Sequence, residues 1–195
     1  MTISEYTLII IGLIACMYID HTSEYSQLKC IISNVDGNTY CVRERAKLEL
    51  AADRLANVNV RMKKIIKHCN SKYKNENNVK RLVKGYNPKK IYEILPTSKY
   101  TAYSENKGEK LAFCLDTEKT KGKLIDLNTL TFVALHELAH VATLSVGHTE
   151  EFWNNFKFLL QESKKIGIYD PVNYKKKPIR YCGMTIDDNP YYGIL

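Results

Sequence analysis

A five-residue motif in the last third of the chain sets the strongest limit on its fold. Residues His136, Glu137 and His140 form the pattern His-Glu-x-x-His, and the residues around it are apolar. Such surroundings are typical of a buried helix, in which residues i and i+4 lie one above the other. Burying two imidazoles and a carboxylate costs on the order of several kcal/mol unless they are paired. The motif therefore predicts a buried helix on which both histidines face one shared partner.

Zinc is the partner that this spacing indicates. Two histidines at i and i+4 can direct two nitrogens at one Zn²⁺, and Glu137 can then reach a water molecule held by the ion. His148 follows eight residues after His140 and offers a third imidazole. Three neutral histidines with one open position are typical of a catalytic zinc site. Glu137 is therefore predicted to be a general base and not a ligand.

Capping residues predict the limits of two helices around the motif. Asp126 or Asn128 can cap a helix that begins near Leu130 and ends before His148. Thr149 is expected to cap a second, amphipathic helix. The third histidine would then lie at the entrance to this second helix.

Alternating residues upstream predict a β-hairpin. The segment TAYSENKGEKLAFCLD has β-forming residues on both sides of the turn 106–108, and Gly108 can adopt a positive φ. The two expected antiparallel strands are 100–104 and 111–115. Residues 123–127 are expected to form a further short strand.

The region before the hairpin has the pattern of one long helix. Apolar residues between Arg43 and Cys69 recur at spacings of three and four, which predicts an amphipathic helix packed on its own domain. A seven-residue repeat in the same segment also permits a coiled coil. Residues 63–90 are strongly basic, within a chain of net charge +8. They are expected to form a solvated surface or, alternatively, a nucleic-acid-binding face.

Two features bear on the location of the protein. A charge-free stretch from Tyr6 to Ile19 spans only about 21 Å as a helix, less than the roughly 30 Å hydrocarbon core. Its terminal position and polar flanks nevertheless favour an uncleaved membrane anchor over residues 1–20, with a buried terminal helix and a signal peptide as alternatives.

The six cysteines show no Cys-x-x-Cys spacing, which favours a reducing compartment.

The run LIDLNTLTFVALHELAHVATLSVGHTEEFW, with the later KKIGIYDP and RYCGM, resembles the zinc metallopeptidases of large nucleocytoplasmic DNA viruses. Those proteins are similar to WLM and SprT-like peptidases, and the resemblance covers about residues 95–185. It implies a compact zincin domain whose site is matched by His136, Glu137, His140 and His148. The gap between the second and third histidines is longer here than is usual in WLM patterns.

The resemblance also implies a role for the hairpin, and the chemistry of three residues after the second helix suggests further roles. In zincins an edge strand binds the peptide by strand addition, so strand 100–104 or strand 111–115 would hold the substrate. Alternatively, the hairpin is only part of the core. Tyr181 and Met184 are expected to pack the tail of the domain; alternatively, Tyr181 stabilises a tetrahedral oxyanion and Met184 forms the floor of the metal pocket. Cys182 is an alternative soft ligand.

Together these features predict an α+β zincin-like domain over residues 70–195, with a small antiparallel sheet and the His-Glu-x-x-His helix. Residues 21–69 would form a helical region, and residues 1–20 would anchor the protein to a membrane of the host cell or virion. The predicted function is Zn²⁺-dependent hydrolysis of a peptide or protein substrate. Two alternatives stay open: a DNA-associated SprT-like protease that uses residues 63–90, and a membrane-anchored virion or interaction protein with a structural zinc.

Overall fold

The computed structural model describes residues 3–22, 28–120 and 122–193. In these ranges the helices are α1 (Ile3–Thr22), α2 (Leu48–Tyr73), α3 (Asn77–Gly85), α4 (Leu127–Ala142) and α5 (Glu150–Lys165). The strands are β1 (Leu28–Ile32), β2 (Thr39–Arg43), β3 (Ile91–Glu93), β4 (Ala102–Glu105), β5 (Lys110–Phe113), β6 (Ile179–Tyr181) and β7 (Met184–Ile186). The prediction of an α+β fold is confirmed.

Five strands form one mixed sheet in the order β1-β2-β3-β5-β4, and β6 pairs with β7 in a separate hairpin. Strand β1 is antiparallel to β2 and β4 is antiparallel to β5, whereas β3 is parallel to both β2 and β5. The sequence predicts an antiparallel sheet. The difference arises because α2 and α3 lie between β2 and β3, and a helical crossover returns the chain to the same end of the sheet. Strand β4 lies at one edge of the sheet and β5 lies inside it.

The predicted hairpin of β4 and β5 is confirmed. Its turn places Asn106 and Lys107 at φ values of 46° and 56° and Gly108 at 106°. Positive φ is favourable for glycine and tolerated by asparagine, so Gly108 and Asn106 suit the backbone of the turn, whereas Lys107 adopts a conformation that is uncommon for its residue type. At residues 123–127 the structure has an isolated bridge at Leu124 in place of the expected strand.

Helices α2 and α4 form the centre of the hydrophobic core. Helix α2 is amphipathic, as predicted, and its buried stripe includes Leu55, Met62 and Cys69. It packs against α3, α4, α5 and β2. Region 21–69 also contributes β1 and β2, which the helical prediction does not include. The boundary at residue 70 stays a prediction.

The amino-terminal segment forms helix α1, whose side chains from Tyr6 to Tyr18 are exposed. None of the helices in the described part of the chain is long and apolar enough to cross a membrane. The charge-free stretch is too short, because it reaches only about 21 Å of the roughly 30 Å required. The predictions of a membrane anchor over residues 1–20, of a membrane partner and of a single-pass location are therefore wrong. Its exposure also excludes a buried terminal helix.

Four of the cysteines form two disulfides. Cys30 and Cys41 lie opposite each other on β1 and β2. Cys114 follows β5 and is joined to Cys182 in the turn between β6 and β7. The prediction of a reducing compartment is wrong, because disulfides form and persist in oxidising surroundings.

Candidate metal centre

Helix α4 presents the motif residues. Asp126 caps its amino terminus, because the carboxylate accepts a hydrogen bond from Thr129 N–H at 2.9 Å. Most of the helix is buried, whereas His136 and His140 are half-buried and lie one turn apart. The two imidazoles therefore share one face of the helix, as the spacing predicts.

The loop that follows α4 is fastened to its neighbours by two charged side chains. Arg81 donates from Nε to Ala142 O at 2.7 Å and from Nη2 to Glu151 Oε1 at 2.7 Å. The Glu151 carboxylate also accepts hydrogen bonds from the N–H groups of Leu144 at 3.2 Å and Ser145 at 3.3 Å. These bonds tie the end of α4, the loop and the first turn of α5 together.

The first turn of α5 places an aromatic ring against all three histidines. Thr149 caps this helix, as predicted, by accepting a hydrogen bond from Phe152 N–H at 3.4 Å. The Phe152 ring centroid lies 4.9, 4.3 and 4.6 Å from the rings of His136, His140 and His148. Sequence reasoning missed this packing role, although the position of Phe152 three residues after the cap was a signal for it.

The three predicted ligands converge on one point. His136 Nε2 lies 3.2 Å from His140 Nε2 and 3.1 Å from His148 Nε2, and all three ligand atoms lie within 4.8 Å of one another. Tetrahedral zinc with Zn–N bonds of about 2.0–2.1 Å places its ligand nitrogens about 3.3 Å apart. The spacing and the chemistry of the donors therefore fit a zinc ion.

Burial keeps these imidazoles neutral. It lowers the pKa of His136 to about 3 and that of His140 to about 4, and it also lowers the pKa of His148. The neighbouring imidazoles lower the first two pKa values further, and the ammonium of Lys107 adds to the effect on His140. A neutral imidazole keeps the lone pair that a metal ion requires.

Glu137 lies beside the histidines, in the wall of the same cleft. Only 5% of its surface is exposed, and burial raises its pKa to about 8. A cation held by the histidines would favour the ionised form of this carboxylate. Glu137 is thus a buried carboxyl group that lines the same cleft as the three imidazoles.

The three imidazoles open onto a cleft of about 1350 Å³. Residues 99–107, which include β4, form one part of its wall, and residues 184–188, which include β7, form another. Apolar side chains of α4 and α5 also line it: Phe132, Val133, Trp153 and Phe156.

The carboxy-terminal hairpin contributes to the cleft wall. Tyr181 is buried, and its hydroxyl donates to Thr101 O at 3.3 Å. Burial raises the pKa of Tyr181, so the hydroxyl stays protonated. Met184 also lines the cleft and is 46% exposed. Cys182 is bonded to Cys114, so the prediction of Cys182 as an alternative ligand is wrong.

The basic residues of the segment 63–90 lie on α2, on α3 and before β3, and most are exposed. Three of them form ion pairs with acidic side chains: Lys63, Arg81 and Lys90. These pairs neutralise part of the basic surface.

The geometry therefore defines an α+β protein with a three-histidine cluster in a cleft. No family model matches the chain. Over 185 residues it is 30% identical to the uncharacterized protein R325 of Acanthamoeba polyphaga mimivirus, and the alignment covers 93% of each of the two proteins. The chain belongs to the family of viral proteins that includes protein R325.

Two iridescent-virus proteins are similar over a shorter region. The uncharacterized protein 136R of Invertebrate iridescent virus 6 is 36% identical over 81 residues, which are 42% of this chain and 44% of that protein. The uncharacterized protein 042R of Invertebrate iridescent virus 3 is 36% identical over 85 residues, 43% of this chain and 50% of that protein.

Among solved structures, the crystal structure of Wss1 from Saccharomyces cerevisiae aligns with a TM-score of 0.34 and 22% identity. The alignment covers 39% of this chain and 59% of that one. A TM-score of this size does not establish a shared fold.

Proposed function

We propose that this protein is a zinc-dependent metallopeptidase with a zincin-like site. The observation that carries the proposal is the convergence of three imidazoles, with Nε2 atoms of His140 and His148 at 3.2 and 3.1 Å from that of His136. Three histidines are a typical ligand set for catalytic zinc and leave one position for water or substrate. The adjacent carboxylate and the large cleft support a hydrolytic role over a structural one.

The ligands in this proposal are His136, His140 and His148, each through Nε2. When bound, zinc supplies a Lewis acid that lowers the pKa of a water molecule and polarises the scissile carbonyl. Glu137 accepts a proton from the attacking water and passes it to the leaving amine. Its place on the helix, one residue after His136, makes it a neighbour of the ligands without being one of them.

Strand β4 is the proposed platform for the substrate. Cys114 N–H donates to Thr101 O at 2.9 Å, so the backbone groups of alternate residues, starting with Thr101, face β5. Those of Ala102 and Ser104 face away from the sheet and along the cleft wall. An extended peptide can pair with these free groups as an added strand. Strand β5 has neighbours on both sides, so only the first of the two strand candidates has a free edge.

The hydroxyl of Tyr181 is the proposed stabiliser of the oxyanion. It lies in the cleft wall, it is protonated, and its present acceptor is a single backbone carbonyl at 3.3 Å. A phenol in such a position can redirect its hydrogen bond to an oxygen that gains negative charge in the transition state.

Metal analysis of the full-length protein tests the proposal. About one zinc per chain is expected in the parent, because the three imidazoles form a single site. His136→Ala should lose the metal, whereas His68→Gln, which alters a histidine on α2 outside the cleft, should keep it. Equal zinc contents in the parent and in His136→Ala, measured by inductively coupled plasma mass spectrometry, would refute the site.

A further inference from the structure

The turn between β4 and β5 is locked onto the end of helix α3. A Cβ atom on Gly85 would overlap the carbonyl oxygen of Lys107, and a Cβ on Gly108 would lie 2.7 Å from Gly85 O. In addition, Asn87 N–H donates to Gly108 O at 3.1 Å. This close packing fixes the backbone of Lys107, which lies two residues after the end of β4.

The Lys107 side chain extends from this turn to the carboxy-terminal end of helix α4. Its Nζ donates to His140 O at 3.3 Å, to Thr143 O at 2.9 Å and to Ser145 O at 2.8 Å. Carbonyl groups in the last turn of a helix have no partner within the helix. An ammonium group has three protons, so the three acceptors use its full donor capacity.

We propose that Lys107 is a positioning residue that fixes the imidazoles of His140 and His148 relative to each other and to β4. The inference rests on the metal site proposed above. The three carbonyls begin at His140 and extend into the loop that leads to His148. Because Lys107 also lies in the turn that follows β4, one side chain sets the distance between the proposed substrate strand and the ligands.

A lysine that only stabilises the end of the helix would have a different effect. It would change the melting temperature but would leave the geometry of the site, and hence the affinity for zinc, unaltered. Supporting partners of metal ligands typically change metal affinity by about 10- to 100-fold when they are removed. Zinc affinity therefore separates positioning from plain helix stabilisation.

The experiment compares full-length parent, Lys107→Met, Lys107→Arg and the control Lys84→Met, an exposed lysine on α3. The zinc dissociation constant is measured by competition with a chromophoric chelator, and the ligand-field spectrum is recorded after loading with Co²⁺. We expect Lys107→Met to weaken zinc binding by about tenfold or more and to alter the cobalt spectrum. Lys107→Arg keeps the charge and several donors, so it should restore most of the affinity. Lys84→Met should match the parent.

Zinc binding by Lys107→Met that equals the parent's, even with a lowered melting temperature, would overturn the inference. Tighter binding would overturn it as well, because it would mean that the ammonium acts only by repelling the cation. If Lys107→Met does not unfold cooperatively, Lys107→Gln replaces it under the same criteria. A parent that binds no zinc would refute the proposed function itself, which is a distinct result.

Discussion

The Nε2 atoms of His136 and His148 lie 3.1 Å apart, although one residue is on α4 and the other precedes α5. Two neutral imidazoles at this distance can share one hydrogen bond, in which the N–H of one ring donates to the bare nitrogen of the other. Hydrogen bonds made by Arg81 and Glu151 tie the intervening loop to both helices, and so they keep the two imidazoles at this distance. The loop therefore holds the imidazole of His148 close to that of His136.

Removing the imidazole of His148 should weaken zinc binding at the proposed site without unfolding the protein. His148 is exposed, and the cap at Thr149 does not depend on it. We expect His148→Ala to lower zinc affinity by at least about 100-fold, since loss of a ligand exceeds the effect of losing a supporting partner. Chelator competition measures the affinity, and His68→Gln is the matched control. Unchanged affinity in His148→Ala would exclude this residue as a ligand.

The disulfide between Cys114 and Cys182 should matter for stability and for activity. It closes a separation of 68 residues, whereas Cys30 and Cys41 are 11 residues apart. On the chain-entropy model the bond between Cys114 and Cys182 stabilises the fold by about 4 kcal/mol, and the bond between Cys30 and Cys41 stabilises it by about 3 kcal/mol. The first bond also holds the hairpin that lines the cleft.

Paired alanine substitutions test both effects. Cys114→Ala with Cys182→Ala should lower the melting temperature and also reduce hydrolysis of labelled casein. Cys30→Ala with Cys41→Ala should lower the melting temperature but keep the activity, because that pair lies outside the cleft. Equal loss of activity in the two double variants would contradict a specific role for the first disulfide.

The edge of β4 offers a test of substrate binding. The N–H of Ala102 faces away from β5, so proline at this position removes a hydrogen bond to the substrate but none within the sheet. Loss of one such bond, about 1 kcal/mol, should raise KM for a fluorogenic extended peptide about fivefold while kcat stays near the parental value. Ala102→Val keeps the N–H and serves as the control. An unchanged KM in Ala102→Pro would argue against strand addition at this edge.

Local patterns predicted the parts of the structure that depend on neighbouring residues. The caps at Asp126 and Thr149, the amphipathic helix α2 and the turn at Gly108 follow from short-range chemistry and agree with the structure. The sequence also predicts that the imidazoles converge, because two histidines have the i, i+4 spacing and because the helix ends before the third histidine.

Contacts between segments that are far apart in the sequence could not be predicted from such local patterns. The disulfide of Cys182 and the hydrogen bonds of Lys107 join residues that only the tertiary fold brings together. The hairpin of β1 and β2 was missed although its loop contains the pair Asp36-Gly37, a turn signal of the Asn-Gly type, and Gly37 has a φ of 70°. Neither flanking strand has a strict alternation of apolar and polar residues, which is the second half of the hairpin pattern. For helix α1, the short length of the apolar stretch correctly indicates a helix that cannot cross a membrane, whereas its position at the terminus wrongly suggests a membrane anchor.

Substitution of Glu137 by glutamine tests the central claim most directly, because it separates catalysis from metal binding. Glutamine keeps the shape of the side chain but cannot accept the proton. Zinc content and melting temperature should stay near those of the parent, while the rate of hydrolysis of fluorescein-labelled casein falls by about 10²- to 10⁴-fold. A Glu137→Gln protein that holds zinc and cleaves casein at the parental rate would contradict the account.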